Sequence, residues 1–403
     1  MSPRGSSSMR DFNRARVLDA FAGAVALTRG EIAARTGLSR TTVTGLVDQL
    51  VREGLLTTPR DALVVPRSDV PGRRPELLAR TRPLGYGVAI DAGHERLQIA
   101  IADLSGRVLA RGVRHIGIEA TAKEAARHTR AVVRELVAAA APGQTCHGVV
   151  AAIPEPIGRD GRVARDSVAS RWHGVRPGEV LGDALGQEVH AWNDANLAVL
   201  GETVFGASRN LDDVFYVKIS HGVGLGIVVN GRLVRGTDGL AGEIGHTQVR
   251  ADGIVCLCGN RGCLYTLSAS EYLTQALHAV THNPELTLDN LAAMGRQGHP
   301  GAGRVLRDAG REVGHAVANL CNALNPRLVI VGGSLARAGD WAISGLRESM
   351  ADRTEARVAQ ALEITASRLG ERAEVYGAIA MAIGVIDPVT AEPRVQAARR
   401  TPA

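Results

Sequence analysis

The stretch GLAGEIGHTQVRADGIVCLCGNRGCLY, Gly239–Tyr265, sets a Glu-x-x-His pair (Glu243, His246) ahead of a Cys-x-Cys-x4-Cys cluster (Cys256, Cys258, Cys263). One histidine and three cysteines are the four ligands that a closed tetrahedral zinc site needs. Three cysteines within eight positions of a chain that has five in all is not a packing pattern. Gly253, Gly259 and Gly262 allow the tight turns that fold thiolates back onto one ion. With every coordination position taken by protein, such a zinc is structural, one per chain. It fixes a loop, and the residues that the loop would hold are Glu243 and His246.

The chain around this stretch has 403 residues, enough for two or three domains and a sizeable core. Its start, MSPRGSSSMRDF, lacks an apolar signal segment, and no apolar run reaches the length of a membrane span. A cytoplasmic protein without membrane association is therefore expected. Cys146 and Cys321 lie in apolar surroundings and read as buried thiols, consistent with a reducing compartment. The net charge of +6 is unevenly placed. Residues 1–83 hold 14 Arg against 8 Asp and Glu, whereas the other 320 residues hold 33 basic and 33 acidic groups. All the excess positive charge sits on the first fifth of the chain, an electrostatic footprint for a polyanion, with DNA the first choice.

The local pattern agrees. Residues 1–12 read as a disordered tail. Val17, Leu18, Phe21 and Val25 have helical spacing. Ile32 and Ala33 sit on a short helix ending at Gly37, and Ser39 caps a second helix whose buried face is Val43, Leu46, Val47 and Leu50. This is a helix-turn-helix, with Ala33 small enough for close approach of the two helices. Arg40, Thr41, Thr42 and Thr44 are its exposed candidates for base and phosphate contact. The same pattern also suits a helical hairpin in an ordinary core. Leu55–Thr58 and Ala62–Val65, followed by the loop DVPGRRPELLART, suggest a β-hairpin wing. Arg73 and Arg74 form its basic tip, although a solvated linker fits the loop as well.

From Pro83 the chain becomes α/β. Gly85–Ile90, Leu97–Asp103 and Val108–His115 read as a meander, followed by a helix at Ala122–Ala140 and a strand at Gly148–Ile153. The pattern recurs with Val214–Ser220, the glycine turn HGVGLG, Ile227–Val229, the Asn230-Gly231 turn and Arg232–Val234. A long helix over about Gly303–Leu324 then precedes the strand Leu328–Val331 and the Gly332-Gly333 turn. A glycine turn after the first strand of each half marks a duplicated, two-lobed α/β fold with a cleft between the lobes.

With Glu243-Ile-Gly-His246, CLCGNRGC and Trp192-Asn193-Asp194-Ala-Asn196 all present, the chain resembles the ROK family (repressor, open reading frame, kinase) in its winged-helix, regulatory form. The resemblance spans about Asn13 to Ile386. It implies a winged helix-turn-helix domain at 13–82 followed by an actin-like sugar-kinase fold. The first lobe would be 83–197, joined by a C-terminal helix at about 371–386. The second lobe with its zinc loop would be 198–370, and 388–403 a flexible tail. In kinase members, residues matching Asn193 and Asp194 bind the sugar, and the Asp is the base toward the hydroxyl that is phosphorylated. A helix N-cap is a compatible second role for the pair. Residues matching Glu243 and His246 bind sugar hydroxyls, and the His also holds zinc.

The departures from the family pattern point away from catalysis. Where kinases carry Asp-x-Gly-Gly-Thr, this chain reads Asp91-Ala92-Gly93-His94-Glu95. A carboxylate repels a triphosphate, and a bulky ring obstructs it. His221 likewise replaces Gly or Thr in the second turn, while Val331-Gly332-Gly333-Ser334 keeps a nucleoside-side glycine turn. Tyr265 stands where the family has a sugar-binding Glu, and Pro154-Glu155 where it has Pro-Gly. The expectation is a DNA-binding regulator, a repressor of carbohydrate genes. It would bind an inverted-repeat operator as a homodimer or higher oligomer and respond to a sugar-like effector at Asn193, Asp194, Glu243, His246 and Tyr265. The alternative is an active ATP-dependent sugar kinase with Asp194 as its base.

Overall fold

Thr28 opens the N-terminal domain with a capping box. Its side chain accepts from the Glu31 amide, and the Glu31 carboxylate accepts from the Thr28 amide. The helix Arg29–Thr36 ends at Gly37, which is left-handed (φ 66°). Ser39 then caps the helix Arg40–Arg52 through the Thr42 amide. Ile32, Val43, Leu46, Val47 and Leu50 pack with Val17 and Phe21 of the preceding helical segment. Beneath them lies a small antiparallel sheet in the order β1-β3-β2, with β1 Leu27–Thr28, β2 Leu56–Thr57 and β3 Leu77–Arg80. This is a winged helix-turn-helix. The computed structural model describes residues 13–14, 16–21, 24, 26–58, 76–81, 85–94, 96–116, 120–164, 172–281, 283, 286–337 and 340–392. Val25, Ala62–Val65, Arg73, Arg74 and Glu95 lie outside the described residues.

Two five-stranded sheets follow, and they repeat one topology. The first has the order β6-β5-β4-β7-β8, from β4 Gly85–Ala92, β5 Arg96–Asp103, β6 Val108–His115, β7 Thr145–Ile153 and β8 His190–Asn193. The second has the order β11-β10-β9-β12-β13, from β9 Val214–Ile219, β10 Val223–Val229, β11 Arg232–Leu233, β12 Leu328–Gly332 and β13 Glu363–Ala366. In both, an antiparallel meander is extended by two parallel strands. Helix Asp194–Phe205 lies between the lobes beside helix Ala373–Ala382. The two helices meet backbone to backbone: a Cβ on Gly201 would strike the Ala373 carbonyl oxygen, and one on Gly377 the Leu197 carbonyl oxygen. Asn230 (φ 52°) and Gly231 (φ 71°) make the two-residue turn between β10 and β11.

Four expectations need correction. The partner of Leu56–Thr57 is Leu77–Arg80, part of the supposed loop, because Leu78 is needed under the helices. The glycine turn HGVGLG is a turn only at His221-Gly222. Gly224 and Gly226 belong to β10, where the start of helix Asp194–Phe205 lies so close that a Cβ on Gly226 would strike the Ala195 carbonyl oxygen. Of the expected tail, 388–392 lie among the described residues and pack on the fold. The Trp192 indole N–H donates to the Pro388 carbonyl (3.0 Å), and Ala391 is buried. Of the two lone thiols, Cys321 is buried but Cys146 only half-buried.

Candidate effector cleft, metal loop and DNA-binding face

Arg40, Thr41, Thr42 and Thr44 all lie exposed on the first turns of the second helix of the helix-turn-helix. Thr42 shares a hydrogen bond with Ser39, and the Thr44 hydroxyl donates to the Arg40 carbonyl, so both hydroxyls are oriented. No carboxylate occupies the first turn of that helix. The positive end of its dipole and Arg40 thus face outward together.

The metal loop is folded by its backbone. The Gly262 carbonyl accepts from both the Val249 and Arg250 amides, and the Gly262 amide donates to the Ile254 carbonyl. Gly262 has φ 66°, and a Cβ there would overlap the Arg250 carbonyl oxygen, so only glycine fits. The ligand atoms of His246, Cys256, Cys258 and Cys263 lie within 4.8 Å of one another. Cys256 Sγ is 3.7 Å from His246 Nδ1, and Cys258 Sγ is 3.7 Å from Cys263 Sγ. The edge of a tetrahedron with Zn–S bonds near 2.3 Å is about 3.8 Å, so the donor set fits one metal ion.

Glu243 is carried into the cleft on the turn before the short helix Ile244–His246. A Cβ on Gly242 (φ 104°) would overlap the Leu225 carbonyl oxygen, which holds this turn against β10. Burial, and then the charges of Asp194 and Glu155, push the Glu243 carboxyl up to about 7. Glu155 thus adds a third acid to this side of the cleft. Tyr265 stacks beside His246 (centroids 6.1 Å) and meets Tyr272 edge-on. Asn193 caps helix Asp194–Phe205 through the Asn196 amide, and its Nδ2 donates to the Glu155 carbonyl (3.3 Å). The N-cap role therefore coexists with a place in the cleft. A cavity of about 760 Å³ opens elsewhere, on Trp192 and Arg235, and none of the expected ligand residues lines it.

Beneath the cleft lies a buried ion cluster that the motif reading missed. Lys218 Nζ sits 2.6 Å from Asp194 Oδ2 and 2.7 Å from Glu374 Oε1. Asp194 Oδ1 accepts from the Ala195 amide (2.7 Å), so both of its oxygens are engaged. Burial works against the Lys218 ammonium, but Asp194, Glu374 and Asp91 outweigh it and hold its pKa well above the ordinary value. Burial, then Glu374, push Asp91 up to about 7, with Lys218 pulling the other way. A signal was present in the sequence: Lys218 is one of only two lysines and stands inside the apolar strand VFYVKI.

His94 of the first lobe and His221 of the second stack with ring centroids 4.9 Å apart. One ring from each lobe thus meets between the turn after β4 and the turn after β9.

The ROK family profile matches residues 87–385, and that of the MarR family matches residues 11–63. The chain is 27% identical over 354 residues to the xylose repressor of Bacillus subtilis (strain 168), covering 87% of this chain and 89% of that protein. The crystal structure of a ROK family transcriptional regulator, a homolog of the E. coli MLC protein, superposes with a TM-score of 0.69 at 23% identity, covering 93% and 96% of the two chains. A ROK family glucokinase from Streptomyces griseus, in complex with glucose and AMPPNP, superposes with a TM-score of 0.61 at 25% identity, covering 74% and 99%.

Proposed function

The chain belongs to the ROK family, and from that premise we propose that it is a sequence-specific DNA-binding repressor of carbohydrate-related genes whose cleft binds a sugar-like effector without phosphorylating it. The observation that supports this reading is the union, in one chain, of the exposed Arg40, Thr41, Thr42 and Thr44 on a helix-turn-helix with a cleft that gathers polar side chains on one side and stacks His94 on His221 across the lobes. Asn193, Asp194, Glu243, His246 and Tyr265 offer acceptors and donors suited to a polyol. Zinc on His246, Cys256, Cys258 and Cys263 would hold that side in shape. Nδ1 of His246 would face the metal, which leaves Nε2 for a hydroxyl. Arg73 and Arg74 would supply backbone or minor-groove contact. One helix-turn-helix buries little surface, so a homodimer on an inverted repeat, with half-sites one helical turn apart, is the matching assembly.

An ATP-dependent sugar kinase is the second reading, favoured by the position of Asp194 and the likeness to a glucokinase fold. Against it, both Asp194 oxygens are already engaged, one by Lys218 at 2.6 Å and the other by the Ala195 amide. Phosphoryl transfer is mostly positioning and charge stabilisation, for which His94 and His221 leave no cradle. Incubating the protein with ATP–magnesium and a panel of hexoses, pentoses and amino sugars separates the two readings. Sugar phosphate that forms with wild type and not with Asp194→Asn would establish the kinase.

A further inference from the structure

Helix Asp194–Phe205 starts in the cleft, and the chain that leaves it reaches the DNA-binding domain at Arg209 and Asn210. Its first residue is held by Lys218, which reaches across from the second lobe and also binds Glu374. Twelve residues span about 18 Å. At the far end the buried Glu202 pins the chain that leaves the helix. Its Oε2 accepts from the Ala207 amide (2.6 Å), and its Oε1 accepts from the Ser367 hydroxyl (2.6 Å) and the Leu369 amide (3.0 Å). The Ser208 amide also returns to the Glu202 carbonyl. The next two residues grip the winged helix. Arg209 Nη2 donates to the Ala26 carbonyl (2.9 Å), Arg35 Nη2 donates to Asn210 Oδ1 (3.0 Å), and Asn210 Nδ2 donates to Glu31 Oε1 (3.4 Å). Asn210 is left-handed (φ 67°), a conformation that asparagine tolerates and that aims its amide at the helix Arg29–Thr36.

We propose that helix Asp194–Phe205 is a lever that carries the state of the cleft to the DNA-binding domain, with the Lys218–Asp194–Glu374 clasp setting its inner end and Arg209 and Asn210 gripping the winged helix at its outer end. The proposal rests on the reading of the cleft as an effector site. The physical case is stiffness. Gly201 and Gly377 bring the lever and its neighbour into backbone contact, and Glu202 removes the slack from the turn that follows, so a shift at Asp194 has no soft joint to dissipate in. A hydroxyl that engages Asp194 competes with Lys218 for the same carboxylate, and Lys218 belongs to the opposite lobe. Changing that clasp changes where the lever sits relative to β9 and β10. A ligand acts at a distance only through such a difference between states.

The test is hydrogen exchange on the full chain and needs no identified effector. Lys218→Met opens the clasp, Lys218→Arg keeps its charge, and the nearly isosteric Asp194→Asn serves as a second opening change should Lys218→Met not fold. Each is made with and without Arg209→Ala/Asn210→Ala. The expected result is a change of roughly fivefold or more, the lower end of ordinary allosteric couplings, in the exchange of amides in Arg29–Thr36 when the clasp opens. Amides of β12 and β13 should stay constant, Lys218→Arg should behave as wild type, and the response should vanish in the Arg209→Ala/Asn210→Ala background. If amides at 194–197 respond while those of Arg29–Thr36 do not, or if the response survives loss of the grip, the lever is wrong. A chain that shows the coupling but binds no sugar contradicts the proposed function alone, whereas sugar-induced release of DNA without the coupling contradicts the lever alone.

Discussion

The imidazoles of His94 and His221 stack with centroids 4.9 Å apart and planes 12° from parallel, one ring from each lobe. On the proposed reading of the cleft, an ATP–magnesium complex would have to part them. The wild-type chain is therefore expected to show no thermal stabilisation by millimolar ATP–magnesium. A ligand at a hundred times its Kd would stabilise by about 2.7 kcal/mol, an easily seen shift. His94→Gly/His221→Gly should open the space and restore some response. A saturable shift with the wild-type protein would show that the rings do not block the site.

Zinc should be found at about one per chain in protein purified without chelator. Cys258→Ser should lose it, expose the loop 243–265 to protease, and lower the melting temperature by about 5 °C, the response of a domain of this size to a loss of ~2 kcal/mol. Metal analysis that finds no zinc in freshly purified protein rejects the assignment.

On the DNA side, Arg40→Ala and Thr44→Ala should each weaken binding to the selected operator by about 1–3 kcal/mol while leaving non-specific binding nearly unchanged. Arg73→Ala and Arg74→Ala should weaken all DNA binding and lower the salt slope by about 1 each. Retention of operator binding by a chain lacking residues 1–83 would overturn the assignment of the DNA-binding face.

Asp91 makes stability depend on pH. Its carboxyl ionises near 3.8 in the unfolded chain and at about 7 in the fold. Between those values the folded state holds a proton that the unfolded state has released. The contribution of Asp91 is fully present below the lower value and lost as pH rises through the upper one. Denaturant midpoints taken from about pH 4.5 to 8.5 should show this fall, to which Glu243, also raised to about 7, adds with the same sign, and Asp91→Asn should make it shallower. A wild-type slope that persists unchanged in Asp91→Asn would place the titration on another group.

Much of this was legible in the sequence, because the relevant signals are local. The caps at Thr28 and Ser39, the left-handed Gly37 and the apolar spacing from Val43 to Leu50 specify the helix-turn-helix within about one turn of each residue. The Cys256–Cys263 spacing brings its thiols together with few intervening bonds. What the residues could not disclose depends on distant packing. Gly226 looks like a turn residue until helix Asp194–Phe205 is seen to leave no room for a Cβ there. Leu77–Arg80 looks like a loop until Leu78 is seen under the helices. Lys218, Glu374 and Asp91 meet from three widely separated segments, so no motif announces them.

The most direct test of the central claim is the affinity of the full chain for genomic DNA fragments that it selects, measured by fluorescence anisotropy at fixed salt with and without each member of a panel of hexoses, pentoses and amino sugars. At least one sugar should change the affinity by roughly 5- to 150-fold, the usual span of allosteric coupling. Glu243→Ala should abolish the effect, and omission of ATP should make no difference. A DNA affinity that no sugar alters, in a protein that turns sugar over with ATP at the ~1–100 per second of working kinases, would contradict the claim.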